Sequence, residues 1–341
     1  MIAQRSNKRA TISDVAKMAG VSISTVSRVV NETAPVAGET VQQVRQAIEA
    51  LDYTPHAAAR SLAGRRTGTI GLLLPEIGGA FYAPMLRGIE AGALEAGFDL
   101  LIHASATVLQ ERSNGSLPLG EHNVDGLLVF TNRLTDAEIS RLVRRGFPLV
   151  LLHRTPPAGL DIPCVTFENK AGTRRLIEHL IVVHGCRRIG FLAGPDGNED
   201  SYWRELGYRE ALAAHDIPFD PNLRSVGAFD EEQAEAAVAA WLRQGIGLDA
   251  IFGGDDEGAT GAIQALRRAG QRVPEDVAVA GFDDVPFARL MTPPLTTVRA
   301  PIELAGQQAA SQLIALIQGG EAESSTLLPT ELVIRRSCGC P

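Results

Sequence analysis

Two rhythms of apolar positions divide the chain. Up to about residue 66, apolar side chains recur every three to four positions in short runs separated by turn residues, the period of small helices. Thr11-x-x-Asp14 reads as a capping-box start for a helix running through Met18. Gly20, within Ala19-Gly20-Val21, can supply the positive φ of a tight turn. Ser22 is placed to cap a second helix, Ile23–Asn31, with Val26, Val29 and Val30 facing inward. A third helix fits Glu39–Leu51, where Val41, Val44, Ile48 and Leu51 share a face. Pro55 breaks the pattern, and the Ala-rich stretch His56–Ala63 closes at Gly64.

Beyond Arg66 the rhythm becomes an alternation of short apolar runs with amphipathic stretches. Strands are predicted at Ile70–Leu74, Leu100–Ala104, Gly126–Phe130, Leu149–Leu152, Ile189–Ala193, Ala250–Gly253 and Val277–Gly281, with one last strand at Leu327–Arg336. Helices are predicted at Pro84–Ala96, Asp136–Arg145, Lys170–Val183, Glu199–His215, Glu231–Arg243 and Glu257–Ala269. Runs apolar on both faces imply parallel sheets covered by helices. So many βα units would make one very wide sheet. The expected architecture is α/β, with two doubly wound lobes side by side and a ligand cleft at the carboxyl ends of their strands.

Charge sharpens this division. The 341 residues carry a formal charge of −8, which taken whole argues against a uniformly basic nucleic-acid binder. Residues 1–66, however, hold nine Lys and Arg against five Asp and Glu, a balance of +4, so the remainder carries −12. The first segment therefore reads as a separate functional unit. Four cysteines, Cys164, Cys186, Cys338 and Cys340, are too sparse for a disulfide scaffold. Cys338-x-Cys340 has no Cys or His set near it in sequence, and His179 and His184 stand five apart, off a common helical face. Neither a metal site nor a cofactor is expected.

Helix, Ala-Gly-Val turn and helix form a helix-turn-helix pattern. Its second helix opens with Ser22, Ile23, Ser24, Thr25 and Arg28. An arginine there can donate two hydrogen bonds to a guanine edge, worth about 1–3 kcal/mol of discrimination, and the hydroxyls suit phosphates. In order, Thr11-Ile12-Ser13-Asp14-Val15-Ala16, Ala19-Gly20-Val21-Ser22, Thr25-Val26-Ser27-Arg28-Val29-Val30-Asn31, Leu51-Asp52-Tyr53-Thr54-Pro55 and Ala59-Arg60-Ser61-Leu62-Ala63-Gly64 resemble the headpiece and hinge of the lactose-repressor (LacI/GalR) family. Phe81-Tyr82, Val124-Asp125-Gly126, His179-Leu180, His184-Gly185, Arg188-Ile189, Ala193-Gly194-Pro195, Gly281-Phe282-Asp283-Asp284 and Pro294-Leu295-Thr296-Thr297-Val298 extend the likeness over almost the whole chain.

The resemblance implies a helix-turn-helix headpiece over 1–54, a hinge helix or linker over 55–66 and a periplasmic-binding-protein-like effector core over 67–341. Its first lobe would take about 67–166 and 298–326, its second about 167–297 and 327–341. It adds Thr11, Ser27, Asn31, Tyr53, Ala59 and Leu62 to the DNA-binding set. Leu62 would wedge into the minor groove as the hinge orders on DNA. Ala37 stands where the family usually has a Ser-like cap, and His56 where Asn is usual.

For the cleft, the resemblance selects Phe81 and Tyr82, His153 and Arg154, Arg204, Phe229, Asp255 and Asp283. Carboxylates at strand ends of a doubly wound fold face the cleft. Phe81 and Phe229 could instead be core, and Arg204 could pair with Glu205 or Asp200 on the surface. Asp256 reads as the N-cap of the following helix, and Asp284 as either structural or ligand-facing. Acids, arginine and aromatic faces suit a neutral sugar or small oligosaccharide. A purine, which some relatives bind, is the alternative, and His153 stands where Asp or Asn is usual.

An enzyme is disfavoured, because H-E-x-x-H, G-x-S-x-G and Walker A patterns are all absent. A secreted sugar-binding protein would carry a signal peptide where the basic headpiece stands. The expectation is a cytoplasmic, homodimeric, ligand-controlled regulator, a repressor by family habit, with double-stranded operator DNA and a small-molecule effector as partners and no membrane.

Overall fold

The computed structural model describes residues 10–31, 34–53, 66–107 and 117–341. The chain forms two compact units, Met1–Thr67 and Gly68–Pro341. In the first, α1 (Ile12–Ala19), α2 (Ile23–Asn31) and α3 (Gly38–Ala50) pack around Val15, Val26 and Val44, each fully buried. Burial of a Val side chain contributes about 1.5–3 kcal/mol, so these three anchors hold much of a very small core. The capping box is present: Asp14 N donates to Thr11 Oγ1 (3.3 Å) and Thr11 N donates to Asp14 Oδ2 (2.8 Å). Gly20 closes α1 in the left-handed region, at φ 66°. Thr25 N donates to Ser22 Oγ (3.1 Å), so Ser22 caps α2. Ala37 leaves α3 with no side-chain cap.

Among its described residues, the second unit contains two six-stranded sheets. The first has β1 (Thr69–Leu74), β2 (Asp99–Ala104), β3 (Gly126–Phe130), β4 (Leu149–Leu152), β5 (Cys164–Phe167) and β11 (Ser325–Leu328), in the order β11-β5-β4-β3-β1-β2. The second has β6 (Ile189–Ala193), β7 (Arg224–Val226), β8 (Ala250–Phe252), β9 (Ala278–Asp283), β10 (Thr296–Arg299) and β12 (Glu331–Val333), in the order β12-β10-β9-β8-β6-β7. Every pairing is parallel except β10 with β12. Helices α4 (Tyr82–Glu95), α5 (Asp136–Arg144) and α10 (Ile302–Gln318) belong with the first sheet. Helices α6 (Asn169–His184), α7 (Glu199–Ala214), α8 (Glu231–Arg243) and α9 (Asp256–Arg268) belong with the second.

The chain therefore passes between lobes three times: after β5, after β10 and between β11 and β12. The single strand expected over Leu327–Arg336 is in fact two. Pro329 and Thr330 separate β11 from β12, and the two pair in different sheets. β5, β7, β10 and α10 were not picked out from the pattern; the three strands are only three or four residues long.

Candidate functional site

The carboxyl ends of both sheets converge on a cavity of about 260 Å³. From the first lobe it is lined by the segment after β1, with Glu76, Phe81 and Tyr82, and by Phe130 at the end of β3 with Thr131, Asn132 and Arg133 after it. From the second come Asp196, Asn198, Asp200 and Arg204, Phe229 after β7, Asp255 after β8 and Asp283 at the end of β9. This is where a doubly wound fold leaves loops free to gather polar groups.

Arg204 is 2% exposed, not a surface ion-pair residue. Its Nε donates to Asn169 Oδ1 (2.9 Å), its Nη1 to Gly254 O (2.7 Å) and its Nη2 to Asp283 Oδ1 (3.0 Å). The guanidinium lies 3.8 Å from the centroid of the Phe282 ring. Asn169, whose role the sequence did not signal, donates through Nδ2 to Asp200 Oδ1 (2.7 Å). Asp200 Oδ2 lies 3.0 Å from His153 Nδ1, an ion-pair distance at which the ring N–H is not aligned for a hydrogen bond. Burial pushes the Asp200 carboxyl up, but His153, Arg204 and Asn169 outweigh it and hold it below its ordinary value.

Asp255 and Asp283 behave oppositely. Burial, then the neighbouring Asp283, drives Asp255 well above the carboxylate range. Burial also raises Asp283, against the opposing pull of Arg204. Asp255 is itself the N-cap of α9, accepting from Gly258 N (2.8 Å), which corrects the capping role expected of Asp256. Asp256 is buried and accepts from Val285 N (2.8 Å) and Thr297 Oγ1 (2.6 Å), tying β10 to the segment after β9. Asp284 is structural: it accepts from Arg299 Nε (2.8 Å) and Arg335 Nη2 (2.6 Å).

Six of the eight expected effector residues meet at the cavity: Phe81, Tyr82, Arg204, Phe229, Asp255 and Asp283. Phe229, at φ 59°, lies across Gly194, where an added Cβ would come within 2.3 Å of the ring. The other two lie off the cavity wall. His153 is 1% exposed behind it, among Phe81, Phe130 and Phe167. Arg154 turns away, donating to Leu134 O (2.6 Å) and pairing with Asp136. Glu76, Asn132, Arg133, Asp196, Asn198 and Glu257 join the lining without having been expected. All but Glu257, in the first turn of α9, sit on connecting segments whose length and polarity carry no periodic signal.

In the headpiece, Thr11, Ser22, Ile23, Ser24 and Arg28 are exposed. Ser22 Oγ lies 2.7 Å from Ser24 Oγ and 2.8 Å from Thr25 Oγ1, a knot of hydroxyls at the start of α2. Thr25 and Ser27 are partly exposed, and Asn31 ends α2. Tyr53 is buried in the headpiece core, 7% exposed, so its ring packs instead of projecting. Ala59, Leu62 and His56 lie outside the described residues.

Elsewhere the fold overturns one expectation. Cys338 and Cys340 do have histidine neighbours: His179 and His184 come to them from α6.

A basic helix-turn-helix unit followed by a two-lobed binding core is the construction of a DNA-binding transcriptional regulator. Residues 11–56 match the profile of bacterial regulatory proteins, lacI family, and residues 177–338 that of the periplasmic binding protein-like domain. The HTH-type transcriptional regulator CelR of Thermobifida fusca is 36% identical over 339 residues, covering 97% of this chain and 98% of that protein. The chain belongs to the lacI family of bacterial regulatory proteins, which are transcriptional regulators and not enzymes. A solved "transcriptional regulator CelR-cellobiose complex" is similar at TM-score 0.72 and 33% identity, covering 96% of this chain and 100% of that one. A lac repressor dimer bound to operator and the anti-inducer ONPF is similar at TM-score 0.78 and 28% identity, covering 97% and 99%. Among the described residues, no helix is long and apolar enough to cross a membrane.

Proposed function

We propose that this regulator is a repressor that binds operator DNA as a homodimer through α2, with its affinity set by a neutral sugar held between the core lobes. The observation that carries the ligand reading is the make-up of the cavity. Among the described residues, Glu76, Asp196, Asp200, Asp255, Asp256, Glu257 and Asp283 line it against Arg133 and Arg204, and Arg204 already pairs with Asp283. Such an excess of acid repels phosphorylated or carboxylated ligands. It suits hydroxyl groups, which donate to carboxylates and accept from Arg133. Phe81, Tyr82 and Phe229 offer apolar faces to a pyranose ring. The volume lies just under the roughly 300–1,000 Å³ of small-ligand clefts, which favours a mono- or disaccharide over a longer chain. The complex of the similar CelR with cellobiose supports the same class.

The dimer reading is supported by exposed apolar side chains in the first lobe, Leu101 and Ile102 on the edge strand β2 and Leu94 on α4. Two headpieces can then read half-sites about 10–10.5 bp apart. In the DNA reading, the exposed Arg28 reads bases and the Ser22, Ser24 and Thr25 hydroxyls hold phosphate.

A thermal-shift screen of the full chain against neutral mono- and disaccharides, sugar phosphates and nucleobases tests the ligand class. Stabilisation by a nucleobase and by no sugar overturns it. Asp283→Asn then serves as the site probe. Calorimetry is expected to show effector affinity reduced at least about tenfold, corresponding to one charge-assisted hydrogen bond, with operator affinity of the ligand-free protein unchanged. Unchanged effector affinity removes Asp283 from the site.

A further inference from the structure

The end of the chain gathers four side chains that the regulatory reading leaves unused. His179 stands in α6 and His184 is its last residue; Cys338 and Cys340 flank Gly339 in the final turn. One ligating atom from each lies within 4.8 Å of all the others. Cys338 Sγ and Cys340 Sγ are each 3.7 Å from His179 Nε2, and Cys340 Sγ is 3.4 Å from His184 Nε2. In a tetrahedron with Zn–S of about 2.3 Å and Zn–N of about 2.0–2.1 Å, each S···N edge measures about 3.6 Å. Three separate contacts thus fall on the edges of one metal-sized tetrahedron.

Cys340 Sγ meets two imidazole Nε2 atoms at once and His179 Nε2 meets both sulfurs, so the ligating atoms face a common space. A cation at the centre serves all four donors. The surroundings hold the donors in place. Ser337 Oγ donates to Val279 O (2.6 Å) and accepts from Thr296 N (2.8 Å), fixing the turn against β9 and β10. Thr296 Oγ1 donates to Cys338 Sγ (3.1 Å), an outer partner of the kind that orients metal-bound thiolates. Gly339 has φ 106°, and a Cβ there would sit 3.3 Å from the His184 ring. The backbone can therefore fold over that imidazole and bring both sulfurs to one side.

The i, i+5 spacing in α6, which sets the two histidines on different faces of an ideal helix, is no obstacle here. His184 is the helix's last residue, Gly185 leaves the helix in the left-handed region at φ 69°, and the two rings meet edge to face with centroids 5.1 Å apart, so both present nitrogen to the C-terminal turn.

We propose that His179, His184, Cys338 and Cys340 form a tetrahedral site for a thiophilic divalent metal ion, zinc by its two-sulfur, two-nitrogen donor set, which fastens the C-terminal end of the chain to α6. The site lies in the second lobe, away from the effector cavity, and is independent of the ligand reading above.

The test uses the full-length protein, expressed with zinc and kept reduced. Elemental analysis is expected to find one zinc per chain. Replacement by cobalt is expected to give the intense visible bands of a tetrahedral centre and a thiolate-to-cobalt charge-transfer band. Cys340→Ser and His184→Gln alter half-buried side chains and leave the buried Cys338 in place. Each is expected to weaken cobalt binding by more than the about 10–100-fold that loss of an outer partner costs. Chelator should lower the melting temperature of the unaltered protein and leave those of both variants unmoved. Absence of zinc together with failure of the reduced chain to take up cobalt overturns the proposal. So does metal retained undiminished in both variants, or a cobalt spectrum without the thiolate band.

Discussion

Asp255 serves two ends with one carboxyl. It caps α9 through Gly258 N and it faces the cavity beside Asp283, where burial and that neighbour hold its proton on well above the usual range. A group with a raised folded value contributes stability in full below the ordinary carboxylate range, and that contribution is lost as pH rises toward the raised value. Asp255→Asn keeps the cap, since Asn is as good an N-cap, and removes the titration. Thermal unfolding across pH is expected to show the variant about 0.5–2 kcal/mol more stable at neutral to alkaline pH, with effector binding weakened. A variant as pH-sensitive as the parent counts against this account. Arg28 is the corresponding residue in the headpiece. Arg28→Ala is expected to lose about 1–3 kcal/mol of operator discrimination in a gel-shift titration while effector binding is retained; undiminished discrimination rules out its base-reading role. Residue identity was legible where chemistry and position coincide, as at Asp283 on a strand end or Arg204 on a helix. It was not legible for His153, which turns at φ 56° behind the aromatic wall. Nor was it for the Cys–His cluster, whose members lie some 150 residues apart in sequence and meet only through the fold.

At the scale of elements, the chain reads well wherever a strand is apolar on both faces or a helix keeps one apolar stripe. β1, β3, β4, β6, β8 and β9 belong to the first kind, and the headpiece helices to the second. Short strands such as β7, with partly exposed side chains and an edge position, leave no such trace. The missing cap on α3 was visible at Ala37 and persists in the structure. Ala37→Ser is expected to stabilise the headpiece by about 0.5–2 kcal/mol, seen as a higher melting temperature of the headpiece transition, and no rise would show that Ser finds no backbone N–H there.

For the whole molecule, the lobes are joined by more than the three crossings. Ala80 N donates to Glu257 Oε1 (3.2 Å), Asn132 Nδ2 to Gly197 O (2.8 Å) and Thr155 N to Glu199 Oε2 (2.7 Å), all bridging the cleft. Glu199→Ala removes the last of these. Small-angle scattering of the effector-free protein is expected to give a larger radius of gyration, and calorimetry an effector affinity lower by about tenfold. Equal dimensions and affinity would mean that the Thr155 tie does not set the opening. The three crossings also govern the order in which a growing polypeptide can fold. The headpiece core is complete once Tyr53, just past the third helix, has been made. Neither lobe is: the first waits for α10 and β11, the second for β12 and the turn at Cys338. On the ribosome, the apolar flank of α4 therefore stays uncovered through the synthesis of more than 200 residues, until α10 arrives to cover it. The regulator acquires its DNA-reading fold long before it acquires the means to be regulated.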